Sequence, residues 1–291
     1  MAAGTLLSIG HGYSAAALAR RLVPMGWRVL GTTRAAATAE RLRGAGVEPL
    51  LWPLQDPEAA LAAADHLLTS VAPDADGDPA LAALGPLIAA RAPGLRWAGY
   101  LSTVGVYGDR GGDWVDEDAP LAAATARGRA RITAEAGWRA LADAHGLPLH
   151  IFRLAGIYGP GRGPFRKIRA GTARRIVKPG QVFSRIHVED IAETLLASIA
   201  RPDPGAIYNV CDDEPAPPQD VIAHAATLLN LPPPPEVAYE DADLSPMARS
   251  FYAESKRVSN RRLREELGVA LRYPDYRAGL AAVLAAESGV R

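Results

Sequence analysis

A glycine-containing loop near the start of the chain has the residue types and spacing of a phosphate-binding turn. The sequence GHGYSA places Gly10, Gly12 and Ala15 in the pattern G-x-G-x-x-A. The first glycine permits a tight turn, the second lets backbone approach a pyrophosphate, and the alanine lets the following helix pack closely on a sheet. The start of that helix would hold the negative charge. We predict a dinucleotide site formed by Gly10, His11, Gly12, Tyr13, Ser14 and Ala15.

The end of the next apolar run bears on which dinucleotide binds. An NAD site of this type has an Asp or Glu there, which holds the ribose hydroxyls. Here the run ends in GTTR, with Thr32, Thr33 and Arg34, and no carboxylate occurs between Gly10 and Glu40. A basic end suits the 2′-phosphate, so we predict NADP as the cofactor, with NAD also allowed. The alternative is that Arg34 only begins a solvated helix.

A second charged pattern lies in the segment RGRARITAE, residues 127–135. In a helix, Arg127, Arg131 and Glu135 lie one turn apart on one face, and like charges at this spacing repel. One interpretation pairs Arg131 with Glu135 and leaves Arg127 in solvent. The other is that this face binds an anion. The residues alone leave both interpretations open.

The sequence lacks the residue patterns typical of disulfide-bonded proteins, metal sites and serine hydrolases. Cys211 is the single cysteine, so an intrachain disulfide is excluded and a reducing, cytoplasmic setting is expected. The histidines are scattered, and none has a partner at metal-ligand spacing, so we predict no metal site. No G-x-S-x-G elbow occurs, and Ser102 has no evident base. A hydrolase is therefore not expected.

Composition limits the class of protein further. The chain has 291 residues, 48% of them hydrophobic, and Lys+Arg and Asp+Glu both total 32. The zero net charge argues against a general nucleic-acid or anionic-membrane binder. Only Lys167, Lys178 and Lys256 are lysines, so a single arginine carries less weight here than usual. The apolar N-terminus lacks a basic region, and no apolar run reaches about 18 residues, so neither a signal peptide nor a membrane span is expected.

The elements that would position these residues alternate between strands and helices. Strands are predicted at 5–10, 27–33, 47–52, 65–70, 97–102 and 147–154, with helices between them that include 56–64, 80–92 and 121–145. This alternation predicts an α/β, Rossmann-type doubly wound parallel sheet. FSRIHV (183–188) and AIYNVC (206–211) are predicted to return to the sheet. A helix at 260–268 is predicted to end at Gly268, with Ser259 or Asn260 as its cap.

Five stretches together resemble the extended short-chain dehydrogenase/reductase superfamily, of the NAD(P)-dependent epimerase/dehydratase type. They are GHGYSA, LSTVGVYG (101–108), FRLAGIYGPGR (152–162), RIHVEDIA (185–192) and YNVCDDEP (208–215). The resemblance implies a Rossmann domain, a smaller C-terminal substrate domain and often a homodimer formed through two helices. We assign residues 1–155 and 182–212 to the first domain, and 156–181 and 213–291 to the second. Further cofactor contacts are assigned to Ser70, Val71 and Ala155.

The resemblance also implies where catalytic residues would stand. The strand that ends in S-S/T-x-x-V-Y-G supplies a catalytic Ser or Thr, which is Thr103 here. The family then has Tyr-x-x-x-Lys, followed four residues later by Glu. Glu135 matches that Glu, so Arg131 stands at the Lys position and Arg127 at the Tyr position. The sequence therefore resembles the atypical branch that lacks the catalytic pair.

These replacements change the available chemistry. Arg131 keeps the charge and donors needed to hold the cofactor ribose. Arg127 cannot be a general acid near neutral pH, but it can bind a carboxylate, phosphate or oxyanion. We therefore predict Thr103, Arg127 and Arg131 as catalytic positions, and Tyr107 as the nearest phenol that could replace the missing acid. The alternative for Tyr107 is packing against the sheet edge.

Two charged segments and a histidine complete the set of candidates. An acidic loop after VYG could supply a base or be solvated: Asp109, Asp113, Asp116, Glu117 and Asp118. Residues 162–185 carry eight basic residues and no acidic one: Arg162, Arg166, Lys167, Arg169, Arg174, Arg175, Lys178 and Arg185. This basic segment suits an anionic substrate, with a solvated flap as the alternative; nucleic acid is not expected, because aromatics are sparse. His187 is expected to be structural.

The predicted function follows from these sites. The leading hypothesis is an NADP-binding reductase or epimerase-like enzyme that acts on a small anionic substrate, phosphorylated or nucleotide-linked, with a nonstandard proton donor. The other hypothesis is a non-catalytic cofactor sensor or scaffold. Loss of both Tyr and Lys favours the sensor, whereas Thr103 and an apparent substrate domain favour the enzyme.

Overall fold

The computed structural model describes residues 2–289 of the chain. Its strands are β1 Thr5–Ile9, β2 Arg28–Thr33, β3 Glu48–Leu51, β4 His66–Thr69, β5 Trp97–Thr103, β6 Trp114–Val115, β7 Leu149–Leu154, β8 Gly156–Tyr158, β9 Arg175–Val177, β10 Arg185–His187, β11 Ile207–Val210, β12 Glu236–Ala238 and β13 Arg257–Val258. Its α-helices are α1 Tyr13–Leu22, α2 Ala36–Gly44, α3 Pro57–Ala62, α4 Pro79–Arg91, α5 Ala126–His145, α6 Phe165–Arg169, α7 Val188–Ala200, α8 Pro218–Leu228, α9 Pro246–Tyr252, α10 Arg261–Glu265 and α11 Tyr276–Ser288.

The central sheet has seven strands in the order β11-β7-β5-β4-β1-β2-β3. Every neighbouring pair in it is parallel. The chain starts in the interior of the sheet, builds outward to β3 and then crosses back to β4, so the strand order reverses between β1 and β4. In such a doubly wound sheet, ligands bind outside the carboxyl ends of the strands at this point. The predicted Rossmann-type fold is confirmed.

Apolar side chains form a core on each face of the sheet. One cluster includes Leu18 and Leu22 of α1 and Leu195 of α7. The other includes Leu84 and Trp138, from α4 and α5. Both faces of each central strand are therefore buried, which explains the nearly continuous apolar runs in the sequence. A third cluster draws on residues between 158 and 173 and between 216 and 283, including Phe165 and Leu280.

Three sequence-based boundaries differ from the structure. The helix predicted from residue 121 begins at Ala126, because Thr125 caps it by accepting a hydrogen bond from the Gly128 amide. FSRIHV does not join the central sheet: β10 pairs with β8 in a separate two-stranded sheet. The helix predicted over 260–268 covers only Arg261–Glu265, and Asn260 makes no side-chain cap. Within the described residues, no helix is both long and apolar enough to cross a membrane.

Candidate active site at the carboxyl edge of the sheet

The glycine loop connects β1 to α1 at the reversal of strand order. Gly10 has φ +76°, a conformation that side chains disfavour, and an added Cβ would lie 2.8 Å from Cγ2 of Val71. Thr32 fixes the turn from β2, since its Oγ1 accepts from the Gly10 amide at 2.7 Å. Ser70 donates its hydroxyl to the Gly10 carbonyl. Ser70 and Val71 therefore contact the loop.

The start of α1 fits a bound pyrophosphate. No side chain caps the helix, so its first amides are left for a ligand. An added Cβ at Gly12 would find only one atom, the Gly10 carbonyl oxygen, within 4 Å. The backbone at Gly12 is thus accessible to a ligand. Ser14 and Ala15 are buried beneath it, and Ala155 at the end of β7 is buried too, with its amide bonded to the Val210 carbonyl at 3.1 Å.

Two side chains of the loop make contacts that the sequence did not predict. The Tyr13 hydroxyl donates to the Pro160 carbonyl at 2.9 Å, and the Arg162 guanidinium lies 5.5 Å from the centre of the Tyr13 ring. This joins the loop to the GIYGPGR segment. His11 packs against Gly31, and burial lowers its pKa to about 4. Its Nδ1 atom has no hydrogen-bond partner among residues 2–289.

The GTTR residues at the end of β2 divide into two roles. Thr32 faces the loop and is buried, so it holds the turn rather than a ligand phosphate. Thr33 is half-buried, and Arg34 is exposed. Arg34 forms no ion pair or side-chain hydrogen bond with another described residue. The side chains open to a ribose phosphate are therefore Thr33 and Arg34.

The end of β5 and the first turns of α5 hold the residues at the predicted catalytic positions. Thr103 ends β5, and its Oγ1 accepts from the Gly105 amide at 3.1 Å. Arg131 points inward: its Nη1 atom donates to the Tyr100 hydroxyl at 2.9 Å and to the Leu101 carbonyl at 2.8 Å. Its guanidinium is therefore held beside Tyr100 and Leu101 of β5, two to three residues before Thr103.

Arg127 reaches in a different direction from Arg131. Its Nη2 atom donates to the Ser250 hydroxyl at 3.3 Å, and its guanidinium lies 5.0 Å from the centre of the Phe251 ring. Both partners belong to α9. Arg127 thus bridges α5 to the C-terminal part of the chain. Neither Arg127 nor Arg131 has a carboxylate partner at ion-pair distance among residues 2–289.

Glu135 does not pair with Arg131, so that interpretation of the charge pattern is wrong. Instead Glu135 forms a buried ion pair with Arg153 of β7, in which Arg153 donates from Nη2 to Oε2 at 2.8 Å. The two side chains are only 2% and 3% exposed. The Ser102 hydroxyl donates to Oε1 of Glu135 at 2.5 Å. The pair links β5, α5 and β7.

Arg153 is a central residue of the site that the sequence analysis missed. Besides Glu135, it donates to the Tyr107 hydroxyl at 2.9 Å and to the Glu117 carbonyl at 3.2 Å. A signal was present in the sequence, because Arg153 is the one charged residue in the apolar strand LHIFRL. A charge in a buried strand needs a paired partner, and Glu135 supplies it.

Tyr107 does not face the cleft, so its assignment as a replacement acid needs correction. The side chain is 0% exposed, and its hydroxyl donates to Oδ1 of Asn209 at 2.7 Å while it accepts from Arg153. Burial raises its pKa to about 12. The hydroxyl cannot reach a substrate in this conformation, and we remove Tyr107 from the proposed catalytic groups.

The acidic loop after VYG is largely solvated, because Asp109, Asp113, Asp116 and Asp118 are exposed and only Glu117 is buried. Asp109 accepts from the Ser255 amide at 2.7 Å, and this hydrogen bond lowers its pKa. Glu117 is buried, which raises its pKa, and it accepts from the Asn209 amide at 2.7 Å. Asp118 pairs with Arg262 at 2.6 Å. These contacts engage Asp109, Glu117 and Asp118, whereas Asp113 and Asp116 stay exposed.

The basic segment at 162–185 is partly neutralised by the fold. Arg169 pairs with Glu287, and Arg175 pairs with Glu236. Arg185 donates to the carbonyls of Phe183 and Ala216. The number of basic residues in the segment therefore overestimates its net positive charge in the folded protein. His187 is buried and caps α7, as expected for a structural residue. Within residues 2–289, no group of three His, Cys, Asp or Glu side chains is placed to hold a metal.

The fold and the glycine loop define a Rossmann dinucleotide-binding protein. The model of the NAD dependent epimerase/dehydratase family matches residues 86–211. Protein YeeZ of Escherichia coli strain K12 is 31% identical over 281 residues, which cover 92% of this chain and 95% of that protein. The chain belongs to the NAD dependent epimerase/dehydratase family, within the extended short-chain dehydrogenase/reductase superfamily. Its cofactor class is therefore a nicotinamide dinucleotide.

Other comparisons cover a wider range of similarity. A 3-diazoavenalumate denitrifying reductase from Streptomyces sp. is 30% identical over 207 residues, or 66% of each chain. A solved structure of a functionally unknown conserved protein from Silicibacter pomeroyi DSS has 63% identity and a TM-score of 0.92, and the match covers 98% of this chain and 99% of that one. dTDP-glucose 4,6-dehydratase from Bacillus anthracis, solved with NAD, has 15% identity and a TM-score of 0.81 over 99% and 97% of the chains. The last of these similarities concerns the fold alone.

Proposed function

We propose that this protein is an NADP-dependent reductase of a small anionic substrate, in which two arginines stand at the positions of the usual tyrosine and lysine. The observation that carries the proposal is the pair Arg127 and Arg131. They lie one turn apart at the carboxyl edge of the sheet, and neither has a carboxylate partner within residues 2–289. Two unpaired guanidinium groups at this edge favour a ligand with negative charge.

Each part of the site has a distinct proposed task. The bound dinucleotide would supply the hydride. The open amides at the start of α1 would bind its pyrophosphate, and Arg131, held by Tyr100 and the Leu101 carbonyl, would orient its ribose. The Thr103 hydroxyl, which already accepts from the Gly105 amide, keeps its proton for a substrate atom. Arg127 would bind the anionic group of the substrate.

Among the described residues we find no side chain suited to exchange the substrate's hydroxyl proton, so in a reduction the dinucleotide would supply the hydride and water would supply the proton. Burial raises the pKa of Tyr100 to about 12, as it does for Tyr107, and both hydroxyls accept hydrogen bonds from arginine. Arginine itself does not deprotonate near neutral pH. It can, however, stabilise negative charge that develops during reduction. The name of the Streptomyces relative supports a reductase.

Preference for NADP is supported by the end of β2. Arg34 is exposed and unpaired among the described residues, and Thr33 lies beside it, so both are available to a 2′-phosphate. The alternative, a solvated Arg34, predicts equal affinity for the two dinucleotides. Thermal shift with NADPH and NADH separates these cases, since a tighter ligand stabilises the folded protein more.

The organisation of the chain is part of the same proposal. The third apolar cluster supports a smaller domain made of 156–181 and 213–291, of which residues 290 and 291 lie outside the described part. We also propose a cytoplasmic homodimer formed through α4 and α5, on the basis of the family resemblance. Light scattering that gives the monomer mass at micromolar concentration would contradict the dimer.

A crystal structure with NADPH bound tests the proposed function directly. We expect the nicotinamide ring beside Thr103, the Arg131 guanidinium within hydrogen-bond distance of the ribose, and an open pocket in front of Arg127. A pocket filled by protein side chains at that point would support the non-catalytic sensor instead. No oxidation of NADPH with any carboxylate or phosphate substrate would also count against the reductase.

A further inference from the structure

Two large apolar side chains of α9 are mostly exposed to solvent. Met247 is 63% exposed and Phe251 is 53% exposed. They are four residues apart, so they share one face of the helix. Phe251 is also the residue that the Arg127 guanidinium contacts. An open aromatic ring thus lies beside a cation at the family's tyrosine position.

The Arg127 guanidinium forms no ion pair with a carboxylate among residues 2–289. Arg127 donates from Nη2 to the uncharged Ser250 hydroxyl at 3.3 Å, and its remaining donors have no hydrogen-bond partner within the described part of the chain. Arg131, one turn along α5, uses Nη1 for Tyr100 and Leu101. An arginine beside an aromatic ring offers two kinds of contact at once: a fork of donors for a carboxylate and a flat surface for a planar group.

We propose that Arg127 and Phe251 form the substrate subsite, and that it takes a planar aromatic carboxylate whose carboxylate pairs with Arg127 and whose ring stacks on Phe251. This inference rests on the proposed function, because it names the substrate class of the same site. A flexible aliphatic acid would gain the charge contact but not the stacking.

The test is a pair of probes with equal charge and similar bulk. We would titrate the protein with 4-hydroxycinnamate and with 3-cyclohexylpropanoate by calorimetry, both with and without saturating NADPH. We expect the planar acid to bind about 3- to 10-fold more tightly, from the stacking contribution. Equal affinity for the two acids would overturn the aromatic assignment. Tighter binding of glucose 1-phosphate than of 4-hydroxycinnamate would overturn it too.

Three variants assign the contacts. Arg127→Gln should weaken both acids about 10- to 100-fold. Phe251→Leu, which keeps an apolar side chain, should remove the preference for the planar acid and leave the aliphatic acid unchanged. Arg139→Gln, which removes an exposed charge further along α5, is the matched control and should change neither. An unchanged preference in Phe251→Leu would overturn the proposal.

The titrations also separate this inference from the proposed function. If NADPH binds but 4-hydroxycinnamate does not, the aromatic subsite is wrong and the reductase proposal stands. If NADPH fails to bind, the reductase proposal fails. The titrations without NADPH still decide whether Arg127 and Phe251 hold an aromatic acid.

Discussion

The glycine loop and the first turns of α5 are two parts of the proposed site that obtain their geometry in different ways. In the loop, the backbone conformation sets the shape of the turn. Gly10 has a positive φ, and the Thr32 and Ser70 side chains bind its amide and carbonyl. In α5, a buried ion pair between Glu135 and Arg153 fixes the helix against β5 and β7. The loop keeps the family's residues. The helix is instead positioned by paired charges from distant parts of the chain, which teaches that neighbouring parts of one sheet edge can be fixed by backbone in one place and by buried side chains in another.

The largest expected effect comes from breaking the support of α5. Arg153→Met leaves the Glu135 carboxylate buried without its partner, so we expect a loss of about 3–5 kcal/mol in the free energy of unfolding. Urea denaturation followed by circular dichroism measures it. The double variant Glu135→Leu with Arg153→Met removes both charges and should recover most of the loss. A single variant within about 1 kcal/mol of the parent protein would show that the pair does not hold α5.

The next effect separates the two arginines of α5. Arg131→Ala should weaken NADPH binding about 10- to 100-fold, the expected contribution of a charge-assisted hydrogen bond. Arg127→Ala should change NADPH affinity by less than about 2-fold, because Arg127 faces α9. Arg131→Lys should restore most of the affinity. Calorimetry gives all three constants, and equal losses in both alanine variants would remove the division of roles.

A pH effect tests the loop. Burial lowers the pKa of His11 to about 4, whereas an unfolded chain binds this proton near its ordinary pKa of about 6.5. Acidification below about 6.5 therefore stabilises the unfolded state, by up to about 1.4 kcal/mol per pH unit for one histidine. His11→Leu, in which no titration remains at this position, should lose about 1–2 kcal/mol less than the parent protein between pH 7.5 and pH 5.

The control for the pH effect is the replacement of the exposed His145 by glutamine. His66 and His187 are also buried, and burial lowers the pKa of each to about 4. The His11 variant therefore removes only part of the loss of folding stability at acidic pH. Urea denaturation at both pH values provides the measurement. If the His11→Leu variant loses stability with falling pH as steeply as the parent protein, His11 is not a buried neutral histidine in the folded protein.

The smallest expected effect concerns the exposed end of β2. Arg34→Ala should weaken NADPH about 5-fold, since an exposed contact with a phosphate is screened by solvent, and should leave NADH unchanged. NADH is the internal control. Equal stabilisation of the parent protein by NADH and NADPH in thermal shift would contradict the preference for NADP, and Arg34 would then be ordinary solvated surface.

Several features could be predicted from residue spacing because they are local. The strand–helix alternation gives the parallel sheet, and the G-x-G-x-x-A pattern gives the turn at Gly10. Both depend on residues that are close in sequence, where backbone preferences act directly. The membership of the superfamily was also predicted from motifs, and the comparisons confirm it. By contrast, the helix start at Ala126 was missed because the cap at Thr125 outweighed the helix-favouring alanines before it.

The partners of individual charged side chains were the features that spacing could not decide. Arg131 and Glu135 have ideal helical spacing for an ion pair, yet Glu135 pairs with Arg153. An exposed pair along a helix contributes little, whereas a buried carboxylate must be compensated by a nearby cation. Tyr107 follows the same logic, because its hydroxyl is held by Arg153 and Asn209 in the interior. Burial is a property of the assembled sheet and cannot be read from one segment.

The sequence by itself determined the turn at Gly10 and the sheet, and it carries the one-turn spacing of Arg127 and Arg131 on which the proposed site rests. These depend on local conformational preference and on counting along one helix. Only the tertiary structure decided that Glu135 is buried with Arg153, that Arg131 turns to the end of β5, and that Arg127 crosses to Phe251. Those choices join residues from 18 to 124 positions apart, and they follow from which groups lose water when the elements pack together.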